Sequence, residues 1–179
     1  DDAGAVYMAG IFSGVCDFDP GANAYTLSSK GLNDGFITRI DNDGNFNWTK
    51  QLTQSGTESN GDLTIQGIDI DGLHNVVATG SFIGTYDFDP GAGSFNRTSA
   101  GGTDFFVVKL NAQGSFNWAK VLPGNEGESG TDVVVDASNA IYASGSFGRV
   151  IDLDPGPAVF LVNNPINGAP AIVKLTADG

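Results

Sequence analysis

One string of residues recurs three times in this chain, in the same order and at nearly constant spacing. GIFSGVCDFDPG begins at Gly10, GSFIGTYDFDPG at Gly80 and GSFGRVIDLDPG at Gly145, so successive copies are 70 and 65 residues apart. A second string keeps this spacing, since GFITRIDNDGNFNW begins at Gly35 and FFVVKLNAQGSFNW begins at Phe105. Self-similarity at a fixed period is the signature of a repeat architecture, in which each unit buries its apolar faces on its neighbours.

The composition favours strands and tight turns over helices. Glycine occurs 26 times in 179 residues, about twice the usual ~7% share. Asp, Asn and Gly are turn residues, and Phe, Val, Ile, Thr and Tyr favour strands. No stretch of ten or more residues shows a convincing helical period. We therefore expect an all-β protein with many tight turns.

The second repeat can be divided into four strands. The pattern predicts strands at 64–70, 75–82, 103–110 and 115–122, with an insertion carrying DFDPG between the second and third strands. We expect the insertion to form a small hairpin whose second arm is 94–98. Four antiparallel strands in a tandem repeat are typical of a β-propeller blade.

The chain contains about two and a half such blades, which is fewer than a closed propeller needs. The repeat units are approximately 1–63, 64–130 and 131–179. Three interpretations remain open. The chain is a piece of a longer protein, or it closes a propeller through copies of itself, or its units stack as an open array.

Charge and rare residues exclude several classes of function. The formal net charge is −13, which argues against nucleic-acid binding and against docking on anionic lipid, because both need a basic surface. The apolar runs are too short to insert in a membrane. A single cysteine and a single histidine leave no disulfide framework and no metal site that needs two imidazoles.

The repeated DFDPG motif is the best candidate site. On a strand, aspartates two residues apart would point to the same face, and a hard cation such as Ca²⁺ would relieve their repulsion. The alternative is that the second aspartate of each pair accepts a backbone N–H in an Asp-Pro-Gly turn, while the first pairs with neighbouring amides. The candidate metal ligands are Asp17, Asp19, Asp87, Asp89, Asp152 and Asp154.

Two other recurring residue types predict packing. Trp48 and Trp118 stand at matching places in the fourth strand, and we expect them to pack between adjacent blades. Gly10, Gly80 and Gly145 lie inside the second strand, where a missing side chain is typical of a close approach of backbones.

The strings GSF, DFDPG, DFFVVKLNAQGSFNWAK and VVVDASNAIYASG together resemble the bacterial β-propeller repeat known as SBBP. The resemblance covers nearly the whole chain. It implies a propeller segment of a secreted or cell-surface bacterial protein, in the company of adhesion modules. It implies little about activity, because propeller scaffolds carry many functions.

The leading interpretation is therefore a non-catalytic structural, adhesive or protein-interaction module, with Ca²⁺ as a candidate stabiliser. Its partner would be a protein, a cell-surface glycan, further blades of a parent chain or copies of itself. One alternative is a subunit that assembles into an extracellular ring or filament. Others are a carbohydrate-binding propeller, with Tyr25, Tyr86 and Phe95 stacking on sugars, and a polysaccharide-active enzyme with a close carboxylate pair in a cleft.

Overall fold

The computed structural model describes residues 1–57, 60–165 and 168–179. Within these residues it contains sixteen β-strands and no helix, and every strand pairing is antiparallel. The described residues therefore include no apolar helix that could span a membrane. The strands are β1 (Val6–Phe12), β2 (Val15–Asp17), β3 (Thr26–Ser28), β4 (Asp34–Ile40), β5 (Phe46–Gln54), β6 (Asp62–Ile70), β7 (Val76–Ile83), β8 (Thr85–Asp87), β9 (Asn96–Thr98), β10 (Asp104–Leu110), β11 (Phe116–Leu122), β12 (Ser129–Val135), β13 (Ile141–Phe147), β14 (Val150–Asp152), β15 (Leu161–Asn163) and β16 (Ala169–Leu175).

The second repeat forms the complete sheet that the sequence predicts. Its four strands lie in the order β11-β10-β7-β6, and each boundary agrees with the prediction to within two residues. The strands that open the second and third repeats begin at Asp62 and Ser129, so the approximate unit boundaries at 63 and 130 fall just inside β6 and β12. The all-β, propeller-like fold class is confirmed, and the residues that the structure describes do not form a closed propeller.

The first and third repeats each contribute three strands of the same kind. The first has β1-β4-β5 and the third has β12-β13-β16. The register shows that they are equivalent: Gly10 pairs with Phe36, Gly80 with Phe106 and Gly145 with Ala171, always 26 residues further along. The three glycines are therefore corresponding points of three successive sheets, as the spacing predicts.

In the second and third repeats, the glycine in the second strand is required by a close approach to the first strand. A Cβ on Gly80 would lie 1.8 Å from the carbonyl oxygen of Thr64, and one on Gly145 would lie 2.2 Å from that of Ser129. In both repeats the first strand carries a register shift at this level. An added methyl would thus meet main chain, which has little freedom to move.

Each DFDPG insertion forms a hairpin, as predicted: β2–β3, β8–β9 and β14–β15. The second and third hairpins also reach back to the preceding repeat. In β8, Asp87 pairs with Thr53 at the end of β5, and Ile151 in β14 forms an isolated bridge with Gly124. The insertions are thus links between repeats as well as local turns.

The hydrophobic core is divided between the two junctions. One buried cluster joins the first and second repeats, and its large side chains include Ile37, Leu63, Phe82 and Phe106. The other joins the second and third repeats around Phe105, Ile141 and Val173. Because alternate residues of β10 face opposite sides, its Phe105-Phe106 pair contributes to both clusters.

Candidate interaction site on the turn rim

The turns between first and second strands and between third and fourth strands lie along one edge of the sheets. We call this edge the turn rim; it carries the turns 41–45, 71–75 and 111–115. Aspartate or asparagine side chains close these turns. Asp71 Oδ1, for example, accepts the amides of Leu73 and Asn75 at 2.9 Å each. The turns are therefore rigid enough to present fixed side chains.

Two grooves lie on the turn rim at corresponding places in successive repeats, with volumes of about 490 and 500 Å³. We call them the first and second junction grooves, because each is lined by one repeat and by the turns of the next. A tryptophan, a phenylalanine and an exposed asparagine recur in both. The repeated lining pairs are Phe46 and Phe116, Asn47 and Asn117, and Trp48 and Trp118.

The tryptophans connect adjacent repeats, which confirms their predicted packing role. Trp48 Nε1 donates to the carbonyl oxygen of Ala112, and Trp118 Nε1 donates to that of Ala177, both at 3.2 Å. Both rings are half-buried. Each therefore fixes one wall of its groove while leaving part of its surface accessible.

The first groove contains an accessible cation. Arg39 Nε donates to the hydroxyl of Tyr7 at 2.9 Å, and its guanidinium lies 5.5 Å from the Tyr7 ring centroid. Arg39 also contacts the Asn47 side chain, and it lies 3.9 Å from Asp1. The cation is thus held in place by partners but remains within reach of a ligand.

The second groove has a buried ion pair at the same position. Lys109 Nζ lies 2.8 Å from Asp71 Oδ2 and donates to the carbonyl oxygen of Ala177 at 3.0 Å. Both Lys109 and Asp71 are buried. Burial by itself would raise the pKa of Asp71, but hydrogen bonds from Lys109 and Asn75 outweigh it and hold the pKa below its usual value. This groove is therefore rigid and has its charge already paired.

His74 lies beside Asp1 and Asp2. It has a left-handed backbone (φ 60°), which asparagine and glycine adopt more readily. Its ring nitrogens lie 3.4 Å from Asp1 and 3.6 Å from Asp2. These three residues are a cluster that could hold a metal ion in the described part of the chain. The sequence alone did not indicate it, since Asp1 and His74 are brought together only by the packing of two repeats.

The DFDPG aspartates are placed as expected for Asp-Pro-Gly turns, the alternative to a shared strand face. Asp17, Asp87 and Asp152 end β2, β8 and β14, while the second aspartate of each motif lies beyond the strand. The expectation that both lie on one strand was therefore wrong. The turn is closed in every copy: Asp19 accepts the amide of Gly21, Asp89 that of Gly91 and Asp154 that of Gly156, at 2.7–2.8 Å.

The first aspartate of each motif also pairs with amides. In the second hairpin, Asp87 Oδ1 accepts the amides of Asp89 at 3.0 Å and Phe95 at 2.7 Å. The same two bonds recur in the other hairpins. Backbone hydrogen bonds thus compensate these carboxylates, and Ca²⁺ binding at Asp17, Asp19, Asp87, Asp89, Asp152 and Asp154 stays a prediction.

The aromatic residues considered for sugar stacking divide by exposure. Tyr86 is fully buried and donates to the carbonyl oxygen of Asn33 at 2.8 Å, and burial raises its pKa. The expectation that Tyr86 faces solvent was wrong. Tyr25 is 39% exposed. Phe95 is half-buried under the guanidinium of Arg97, which lies 3.8 Å from its ring centroid.

Among the described residues, three acidic side chains are fully buried on the opposite edge of the sheets, namely Asp34, Asp104 and Glu128. Burial raises the pKa of Asp104 to about 6. Burial, together with the charge of Asp104, raises the pKa of Glu128 to about 7, although the Gly148 amide acts in the opposite direction. The sequence feature that could have indicated these buried carboxylates is the 70-residue spacing of Asp34 and Asp104. Each of them is the first residue of the third strand of its repeat.

Comparison with known proteins gives one distant relative. Over 137 residues the chain is 28% identical to an uncharacterized WD repeat-containing protein of Acanthamoeba polyphaga mimivirus. The match covers 72% of this chain and 10% of that protein, so the chain spans about a tenth of its relative's length. WD repeats are four-stranded propeller blades, which agrees with the sheets seen here. No family model matches the chain.

Proposed function

We propose that this chain is a non-catalytic β-propeller-type module that binds a protein partner through the junction grooves. The observation that carries the proposal is the recurrence of one groove, with the same aromatic and amide side chains, in successive repeats. A repeated groove on a rigid scaffold suits an extended ligand that contacts several repeats in turn. The WD repeat-containing relative, distant as it is, supports a protein-interaction role.

The charge of the chain indicates the kind of partner. A net charge of −13 favours basic polypeptides, because complementary charge accelerates encounter and excludes like-charged competitors. Around the grooves, exposed polar groups are available for hydrogen bonds, including Asn47, Asn117 and Gln113. Leu73 offers an apolar contact, since 71% of its surface is exposed. We therefore infer a basic, extended segment as the ligand.

The setting follows from the SBBP resemblance and remains part of the proposal. A secreted or cell-surface bacterial protein would use such a module for adhesion or for presenting loops to other proteins. A rigid chain with closed turns and paired insertions suits that environment. Ca²⁺ at the DFDPG turns would add stiffness to the insertions without altering the grooves.

The proposal is tested by selecting ligands directly. Basic twelve-residue peptides displayed on phage are selected on the immobilised full chain, and the best peptides are then titrated by calorimetry. We expect Leu73→Ser with Asn117→Ala, which alters the second groove, to weaken binding at least about tenfold, the effect of losing ~1.4 kcal/mol. Leu32→Ser is the control, because Leu32 is 60% exposed and does not line either groove. Failure to select any peptide, or loss of binding only in the control, would contradict the proposal.

Self-assembly is a second candidate, favoured by the exposed apolar residues of the outer repeats. In β1, Val6, Met8 and Ile11 are 42–52% exposed, and in the third repeat Val134 and Ile172 are 53% and 73% exposed. These faces correspond to those that the central repeat buries. Pairing of copies through them would shield the apolar surface. Light scattering over a range of concentrations tests this, and a mass that remains monomeric up to millimolar protein would exclude it.

A further inference from the structure

The first repeat shows how this fold accommodates a buried carboxylate. Asp34 opens β4 and is fully buried. Main-chain amides and neutral side chains surround it, and their hydrogen bonds compensate its negative charge. The donors are Lys30 N (3.0 Å), Gly31 N (3.2 Å), Gln51 Nε2 (2.6 Å), Thr53 Oγ1 (2.9 Å) and Gln54 N (3.4 Å).

The second repeat keeps the carboxylate but loses the side-chain donors. Asp104 opens β10 and is equally buried. Val121 and Pro123 stand where the first repeat has its glutamine and threonine donors, 70 residues earlier. The amides that reach Asp104 are those of Ala100 at 3.0 Å and Gly124 at 3.5 Å. Its charge is therefore compensated less well than that of its counterpart.

Glu128 brings a second carboxyl group to the same place. It is fully buried and lies directly on Gly124, since a Cβ on that glycine would be 2.0–2.3 Å from the carboxyl atoms. Its Oε1 accepts the amide of Gly148 at 3.3 Å. Its Oε2 is buried and has no hydrogen-bond partner among the described residues. An uncompensated buried carboxylate oxygen is costly, so the site is incomplete as the protein alone supplies it.

Among the described residues, no ion pair involves Asp104 or Glu128. Arg149 follows Gly148, but it is exposed and lies 3.5 Å from Glu126. The negative charges of Asp104 and Glu126 both act on the Glu128 carboxyl. Burial and this mutual repulsion account for the raised pKa of Glu128.

We propose that Asp104 and Glu128 bind one Ca²⁺ ion in the junction between the second and third repeats. Two carboxylates match a divalent charge, and their oxygens are ligands that Ca²⁺ prefers. Mg²⁺ fits less well, because it retains several waters and both side chains are fully buried. Asp104 borders a groove of about 480 Å³, which Arg97 and Lys120 also line. This site is separate from the DFDPG turns and goes beyond the proposed interaction role.

The ion would lie where two repeats meet. Asp104, Gly124 and Glu128 lie in the second repeat unit, Glu128 directly before β12, and Gly148 belongs to the third repeat. Binding of an ion to the folded state alone stabilises that state by mass action. Ca²⁺ at this position would therefore stiffen the junction of the second and third repeats, where the first junction uses hydrogen bonds instead.

The test measures bound metal and thermal stability on the full chain after treatment with a chelator. With Ca²⁺ at about 100 times its dissociation constant, we expect one ion that depends on Glu128 and a rise in melting temperature of roughly 5–10 °C. Mg²⁺ should give a smaller rise. Glu128→Gln keeps the shape of the side chain but removes its charge, and it should abolish both effects. Asp89→Asn, in a DFDPG turn, is the matched control and should retain them.

Several results would overturn the proposal. The absence of bound metal and of any rise in melting temperature at millimolar Ca²⁺ would do so, and would indicate that protons neutralise the pair. Binding that survives Glu128→Gln but is lost in Asp89→Asn would assign the ion to the turns. If Glu128→Gln does not fold, Asp104→Asn replaces it, and the metal content of the unaltered chain still decides whether an ion binds.

Discussion

Trp48 donates its indole N–H to the carbonyl oxygen of Ala112 in the turn of the next repeat, at 3.2 Å. The same bond recurs 70 and 65 residues further along, from Trp118 to Ala177. The two bonds differ in one respect, because Ala177 also accepts from Lys109 Nζ at 3.0 Å. Both junctions thus contain the same tryptophan hydrogen bond, and at the second junction Lys109 donates to the same carbonyl oxygen.

Because Lys109 is a second donor to Ala177, replacing Trp48 and replacing Trp118 should lower the free energy of unfolding by different amounts. Trp48→Phe should lower the free energy of unfolding by about 1 kcal/mol, since it deprives the Ala112 carbonyl of its indole donor. Trp118→Phe should cost less, because Lys109 still donates to the Ala177 carbonyl. The loss of ring area is common to both variants and cancels in the comparison. Urea unfolding measures the difference, and equal or reversed costs would refute the explanation.

The glycine in the second strand of the second repeat should not tolerate a methyl group. Gly80→Ala places a Cβ 1.8 Å from a backbone oxygen of Thr64, so we expect a loss of about 3 kcal/mol or more, or failure to fold. Gly72→Ala is the control, because its nearest neighbour would be Asn139 Oδ1 at 3.5 Å. The control should melt within about 2 °C of the parent chain. A stable Gly80→Ala variant would show that β6 and β7 are further apart than described.

The buried ion pair predicts a strong effect of removing its cation. Lys109→Met leaves Asp71 buried without its partner, and we expect a loss of about 3–5 kcal/mol. Arg39→Met changes the corresponding residue of the first repeat, whose carboxylate partner Asp1 lies 3.9 Å away. The Arg39 side chain is 26% exposed, although that of Asp1 is buried, and at 3.9 Å the pair should contribute about 1 kcal/mol or less. Chemical denaturation of both variants provides the comparison, and similar losses would contradict the difference in burial.

Acid should weaken the ion pair between Lys109 and Asp71. The pKa of Asp71 is lower in the folded chain than its usual value, so the contact contributes fully above that value. The contribution is lost as the pH falls below it, because the unfolded chain then binds the proton more readily. Asp71→Asn should therefore show a shallower fall in stability between about pH 5 and pH 3. The same change at the exposed Asp43 is the control and should leave the slope unaltered.

Much of the candidate site could be predicted from the residues themselves. The tryptophans at matching places in fourth strands indicated packing between repeats, and the Asp-Pro-Gly turns followed from the local preference of aspartate for amides two residues on. The groove that each tryptophan lines could not be predicted. It depends on which turn of the next repeat lies beside Trp48, and that distance in the chain is 64 residues.

The errors have a common cause. The carbohydrate-binding alternative requires Tyr86 to face solvent, yet β8 pairs with β5 of the preceding repeat and the Tyr86 ring enters the core. The second DFDPG aspartates were placed on strands because the motif alternates, but the proline and glycine that follow end the strand. In both cases the position of the side chain depended on a contact with the preceding repeat or on the following turn, and not on the alternation of residues alone.

The sequence by itself determined the repeat, its strands, their antiparallel order and the turns that join them. These follow from the spacing of apolar residues and from turn chemistry, which act over a few residues. Only the tertiary structure decided that the hairpins reach the preceding repeat, that His74 meets Asp1, and that Asp104 and Glu128 are buried at one junction. Contacts of this kind depend on how one sheet packs on the next, and no pattern within a single repeat specifies that geometry.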